Sequence, residues 1–208
     1  MPDKESMRLG AIILAGGRSA RMGRAKDALP WRGRPLLAHV VAELERCCDP
    51  ITVVARDAAQ ALPPLPPTVT RLVDAAGTGP LAGLLTGLAW HRGRNVDAVF
   101  VTACDHPFVS AEVVRWLAAH LADHDAVVPR TGDAWQPLCA IWRTTVVATA
   151  ERLLATGAGP RDLALAARTR VVEADELRAA DPELRCLRDV DTPDDWNAAL
   201  SLARESPP

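Results

Sequence analysis

Leu9 to Lys26 reads LGAIILAGGRSARMGRAK, and within it an uncharged apolar run stops at a pair of glycines and gives way to cations. Leu9 to Ala15 is too short to span a membrane and β-branched at its centre, which predicts a fully buried strand. Gly16 and Gly17 predict the turn that follows. Lacking Cβ atoms, they reach positive φ and let backbone N–H groups come close to a ligand. Ser19 is placed to cap a helix whose N-terminus favours anions, and Arg18, Arg21, Arg24 and Lys26 add positive charge. A negative ligand is the natural guest of such a turn. The spacing fits neither G-x-x-x-x-G-K-[ST] nor G-x-G-x-x-G, so both familiar phosphate loops are excluded.

Outward from this stretch the chain alternates strand and helix signals. Leu29 to Arg34 reads as a turn, and Pro35 opens a helix with Leu36, Leu37, Val40, Val41 and Leu44 on one face. Ile51 to Ala55, Val69 to Val73, Val96 to Cys104, Ala126 to Pro129, Gln136 to Arg143, Arg170 to Glu173 and Leu187 to Val190 read as strands. Helices are expected over Leu81 to Arg92, Glu112 to Asp123, Thr145 to Thr156, Arg161 to Arg168 and Thr192 to Arg204. Leu62 to Pro67, LPPLPP, is a stiff extended connector. Alternation of this kind predicts an α/β fold in three α/β/α layers around a mainly parallel sheet. Ligands of such sheets bind beyond the carboxyl ends of strands.

Composition narrows the function. With 208 residues the chain is long enough for one domain with a sizeable core. Lys and Arg number 24 against 26 Asp and Glu, a formal charge of −2, so neither nucleic acid nor an anionic membrane surface is an expected partner. Ala75 to Trp90, the longest uncharged run, is broken by glycines, threonines and a proline and falls short of the roughly 20 residues a spanning helix needs. The five cysteines are odd in number and lack a C-x-x-C pair, which points to neither a disulfide framework nor a zinc site, and a reducing cytoplasm fits best.

Chemistry-bearing residues fall at the ends of predicted strands. Asp105, in ACDHP after the most apolar strand, stands free at the carboxyl edge. An isolated acid there suits Mg²⁺, a hard ion that takes one or two carboxylates, waters and phosphates; capping a helix near Ser110 or making an Asx-turn before Pro107 is the alternative. Asp189 and Asp191 in RDVDTP would share a face of an extended segment, or Asp191 or Thr192 would cap the last helix with Pro193 at its first position. Asp74 and the run GTGPLAG containing Gly79 lead into another helix. His106 reads as a solvent-facing loop residue, and Trp135 and Trp142 as core or rim.

The pattern L-A-G-G-x-S-x-R-M-G-x-x-K, filled by Leu14, Ala15, Gly16, Gly17, Ser19, Arg21, Met22, Gly23 and Lys26, resembles the signature of the molybdenum cofactor guanylyltransferase family. Asp105 is similar to the acid of that family's C-D-x-P motif, GPLAG to its guanine-transferring branch, and DVDTP to its N-x-N-T-P or D-x-D-T-P stretch. The resemblance implies a Rossmann-like fold of the nucleotide-diphospho-sugar transferase type, a single domain over 1–208 with a nucleotide half at 1–107 and an acceptor half at 108–208. It implies transfer of GMP from GTP to the terminal phosphate of molybdopterin or Mo-molybdopterin. Leu14, Ala15, Gly16, Gly17, Ser19, Asp74 and Gly79 would meet the nucleotide, Lys26 and Arg21 the phosphates, and Asp105, with Asp191 a second candidate, the Mg²⁺. Transient contact with other proteins of cofactor biosynthesis or with molybdoenzymes is also implied. The family's asparagine after the second strand is missing in Val53-Val54-Ala55-Arg56, which leaves a cytidylyltransferase, or a nucleotidyltransferase of another phosphorylated acceptor, as the alternative. A nucleotide-binding module without turnover is the reading outside enzymes.

Overall fold

The computed structural model describes residues 7–17, 22–23, 25–77 and 79–205. Strand β1 (Leu9–Leu14) leads, by way of the glycine turn, to a two-residue hairpin of β2 (Pro30–Trp31) and β3 (Arg34–Pro35), then α1 (Leu36–Leu44), β4 (Ile51–Ala55), β5 (Val69–Val73), α2 (Pro80–Arg92) and β6 (Ala98–Ala103). The second half adds α3 (Ala111–Ala119), β7 (Ala126–Thr131), β8 (Ala134–Trp135), β9 (Cys139–Arg143), α4 (Val147–Leu154), α5 (Pro160–Ala166), β10 (Thr169–Glu173), α6 (Ala174–Leu177) and α7 (Pro193–Glu205). The main sheet runs β10-β7-β9-β6-β1-β4-β5, with β8 paired to β7. β6, β1, β4 and β5 are mutually parallel, whereas β9 lies antiparallel to both β6 and β7. The parallel α/β half is therefore the first half, and the antiparallel strand belongs to the second.

Alternation along β1 builds the core on both faces. Ala11 and Ile13 pack with α1, α3 and Trp196 of α7, while Ile12 packs with Leu81, Leu84, Leu85 and Leu88 of α2 and with α4. Each such side chain contributes roughly 1.5–3 kcal/mol on full burial, which is what holds a nine-residue helix such as α1 that would be marginal alone. Helix α2 rides unusually close over β1: a Cβ on Gly87 would lie 2.6 Å from Ile12 Cδ1, and one on Gly83 3.2 Å from Leu14 Cδ2.

Two expectations fail here. Leu187 to Val190 is not a strand; Arg185–Leu187 is a 3-10 turn and the chain beyond it is irregular until α7. Its backbone is spent on the neighbouring loop instead of a sheet edge, with the Val190 N–H donating to the Asp105 carbonyl at 3.0 Å. The helix expected after the glycine turn is not present over 22–23 and 25–35, which hold turns and the small hairpin, and Ser19, its expected cap, lies outside the described residues. No helix of the described residues is long and apolar enough to cross a membrane.

Candidate active site

Register decides where the chemistry sits. Leu14 pairs with Val54 on one side and Ala103 on the other, and Ala55 pairs with Val73, so β6, β1, β4 and β5 end almost level. The residues that follow them, Asp105, Gly16 and Gly17, Arg56, and Asp74, emerge in one row at the carboxyl edge. They line a single cleft of about 880 Å³ together with Leu14, Ala15, Lys26, Gly79 and Leu138. The described nucleotide candidates from the sequence are thus brought together. Arg21 and Ser19 lie outside the described residues.

At the β6 end of the row, Lys26 holds the acids. Its Nζ donates to Asp105 Oδ2 at 2.8 Å and to Asp191 Oδ1 in a second, very short contact. The lysine side chain is only 10 % exposed, and those of Asp105 and Asp191 are 17 % and 29 %. Burial pulls the Lys26 pKa down, and the bonds and charges of the two carboxylates more than reverse this, leaving it above its ordinary value. Lys26 is therefore a charged, enclosed side chain and not an exposed loop lysine. Two hard oxygen donors converge on one point of positive charge, which is the donor set that Mg²⁺ takes from protein when phosphates and water complete its shell. Among the described residues no group of three or more His, Cys, Asp or Glu is placed to hold a metal.

The helix-capping roles open to these acids are filled by other residues. Ser110, not Asp105, caps α3, its Oγ accepting from the Val113 N–H at 3.3 Å. Thr192 caps α7: its Oγ1 accepts from Asp195 N–H at 3.2 Å, and its own N–H donates to the Asp195 carboxylate at 2.8 Å. That leaves Asp191 to reach Lys26. Asp189 does not follow it, because the segment is irregular and the period-two rule of a strand no longer applies; Asp189 lines a separate groove of about 410 Å³ with Pro107 and Phe108.

His106 corrects its sequence reading. It is buried, with Nδ1 3.2 Å from the Cys186 carbonyl oxygen. Together with the Val190 to Asp105 bond this straps the segment before Asp191 onto the Asp105 loop. His39 supports the same loop from α1, its Nε2 3.0 Å from the Pro107 carbonyl, and burial pushes its pKa below the ordinary value. Burial pushes the Cys104 thiol upward, so it stays protonated beside the acid.

At the other end, Asp74 Oδ1 accepts from Ala76 N–H and from Thr86 Oγ1, both at 3.2 Å, which fixes the acid against the start of α2. Gly79 (φ 96°) precedes Pro80 at the helix entry, a backbone angle that side-chain-bearing residues rarely adopt. Three cleft residues were not legible as site residues in the sequence: Asp27, Arg56 and Gln60. Asp27 is 4 % exposed and burial raises its carboxyl pKa against the hydrogen bond from Gln60. They sit in irregular loops with no periodic signal.

Residues 11–174 match the family described as MobA-like NTP transferase domain. A probable molybdenum cofactor guanylyltransferase of Mycobacterium avium is 36 % identical, the match covering 96 % of this chain and 98 % of the relative. A molybdenum cofactor guanylyltransferase of Pseudomonas putida is 33 % identical over 83 % of this chain and 89 % of its own. The crystal structure of molybdopterin-guanine dinucleotide biosynthesis protein A from Archaeoglobus fulgidus shares the fold, with a TM-score of 0.78 at 24 % identity over 96 % of this chain and all of that one.

Proposed function

The chain belongs to the MobA-like NTP transferase family, and from that premise we propose that it transfers GMP from GTP to the terminal phosphate of molybdopterin or its molybdenum form, releasing pyrophosphate. The observation that carries this reading is the convergence of Lys26, Asp105 and Asp191 at one end of a cleft floored by the glycine turn. The named activity of relatives that span nearly the whole chain supports the choice of acceptor.

In this reading the acceptor phosphate oxygen attacks the α-phosphorus in line, a new P–O bond forms, and the electron pair of the α–β bridging bond leaves with pyrophosphate. Phosphoryl chemistry leaves little covalent work to the protein, so catalysis is positioning and charge neutralisation. The N–H groups of the Gly16-Gly17 turn approach the phosphates, and the Lys26 ammonium offsets charge on the departing pyrophosphate. Asp105 and Asp191 would hold Mg²⁺, which when bound supplies Lewis-acid stabilisation of phosphate charge. Arg21 is a further phosphate contact. A phosphate monoester, with a second pKa of about 6, is already ionised near neutral pH, so no general base is needed and neither Cys104 nor His106 is assigned one.

The test is pyrophosphate release with GTP, CTP and ATP in turn, each with Mg²⁺ and molybdopterin. Release with GTP alone is expected. Release with CTP instead would move the chain to cytidylyl transfer, the alternative that the absent asparagine leaves open, and silence with all three would refute the acceptor.

A further inference from the structure

We propose that Gln60 is a positioning residue for base selectivity, clamping the glycine turn to the wall of the cleft that rises from β4; this rests on the cleft being a GTP site. Neighbouring strands lie about 4.8 Å apart, so the ends of β6 and β5 stand roughly 14 Å apart, close to the reach of an extended nucleoside triphosphate. With phosphates at Lys26 and Asp105, on the β6 and β1 side, the base lies over β4 and β5.

Gln60 leaves the loop after β4 and joins both sides of that half of the cleft. Its Nε2 donates to the Ala15 carbonyl at 2.7 Å, and its Oε1 accepts from the Arg56 N–H at 2.9 Å. A longer contact of 3.4 Å runs from Nε2 to Asp27 Oδ2. The loop that carries it is itself pinned: Arg71, on β5, donates from Nη2 to the Gln60 carbonyl at 2.7 Å and to those of Asp57 and Ala58 at 3.3 and 3.2 Å. The amide thus spends its donor on β1's turn and its acceptor on β4's loop, tying the two backbones one step beyond the last bond between them, from Ala15 N–H to the Val54 carbonyl at 2.9 Å. The two loops stand within contact of each other, a Cβ on Gly16 meeting Arg56 Cα at 3.5 Å, an ordinary van der Waals distance. Base discrimination needs donors and acceptors held to within tenths of an ångström, because a mismatched edge leaves buried polar groups unpaired.

The experiment measures dissociation constants of GTP and ATP with Mg²⁺ for the wild type, Gln60→Ala and Gln60→Glu, alongside kcat, KM and melting curves. Wild type prefers GTP. Gln60→Ala loses both bonds of the amide, weakens GTP binding roughly tenfold, draws the GTP to ATP ratio towards one, and changes kcat at saturation less than about threefold. Gln60→Glu preserves size but turns a carboxylate oxygen on the Ala15 carbonyl, so it does no better than alanine, whereas a residue that only filled space would be rescued by it. An unmoved ratio in Gln60→Ala, wild-type behaviour in Gln60→Glu, or no GTP preference in the wild type overturns the clamp. A shifted ratio with no pyrophosphate release on molybdopterin leaves the clamp and refutes the acceptor; release with an unmoved ratio does the reverse.

Discussion

Replacing Lys26 by alanine tests the centre of the site twice, once through turnover and once through folding. In turnover, one preorganised donor on a charge-developing oxygen is worth about a hundred- to a thousandfold, and that is the expected fall in kcat. In folding, the side chain is nearly enclosed and bonds two carboxylates, so its loss leaves Asp105 and Asp191 facing each other. Charge-assisted bonds contribute about 1.5–3 kcal/mol each; discounted for the partial exposure of Asp191, the variant should lose about 1–3 kcal/mol in all. For a domain of this size that is a fall in Tm of roughly 3–10 °C. The pH dependence fixes the cause. In the wild type the folded lysine pKa lies above 10.5, so its stabilisation is complete below pH 10.5 and fades only as pH rises through the folded value. The variant lacks this titration, so the difference in stability between the two proteins holds below pH 10.5 and narrows above it. Melting curves at pH 7.5 and pH 11 with pyrophosphate assays at saturating substrate read both effects. Normal turnover, or a Tm gap that does not narrow at pH 11, would refute the role of Lys26 as the shared counter-ion.

Asp105→Asn should abolish metal-dependent transfer while leaving the melting point within a few degrees, and a normal Mg²⁺ response would place the metal elsewhere. Gly87→Ala gains about 1 kcal/mol of helix propensity but drives a methyl to 2.6–2.8 Å from three atoms of Ile12; overpacking of about 1–3 kcal/mol wins, and urea unfolding should show a net loss. His91 is fully buried, and burial holds its pKa down at about 4, so the unfolded chain binds its proton first as pH falls. Stability from this residue is present above pH 6.5 and falls by about 3 kcal/mol as pH drops towards 4. His91→Gln, which cannot titrate, should flatten that part of the unfolding curve against pH; an unchanged slope would exclude His91 as its source.

Much of this molecule could be read from its residues because local and global signals agree. The apolar run from Leu9 and the pairs of glycines and cations after it predicted β1 and its turn, and Ile51–Ala55 and Val69–Val73 are strands over the expected residues. Buried parallel strands leave a continuous apolar imprint, so the row of loops at their carboxyl ends follows. The segment from Leu187 to Val190 failed for the opposite reason. Its four residues, Leu-Arg-Asp-Val, have apolar ends but are too few to carry a period, its partner is an irregular loop, and nothing in local spacing tells a sheet neighbour from the Asp105 carbonyl. His106 failed likewise: one histidine in a loop carries no sign that a carbonyl 80 residues away will receive it.

The same distinction separates the two ends of the cleft. At the end proposed to take the phosphates, recognition would depend on residue types that chemistry makes scarce, namely glycines for backbone approach, a cation and an acid, and each left a mark at fixed spacing. At the end proposed to take the base it would depend on which backbone groups are held at what separation. Gln60 does this from the loop after β4 through Ala15 and Arg56, neither of which contributes its side chain to the two bonds. Geometry of that kind is set by Arg71 and the turn it pins, so it belongs to the tertiary structure. The reacting end of such a site is therefore expected to show in a motif, while the selecting end varies among relatives without loss of fold.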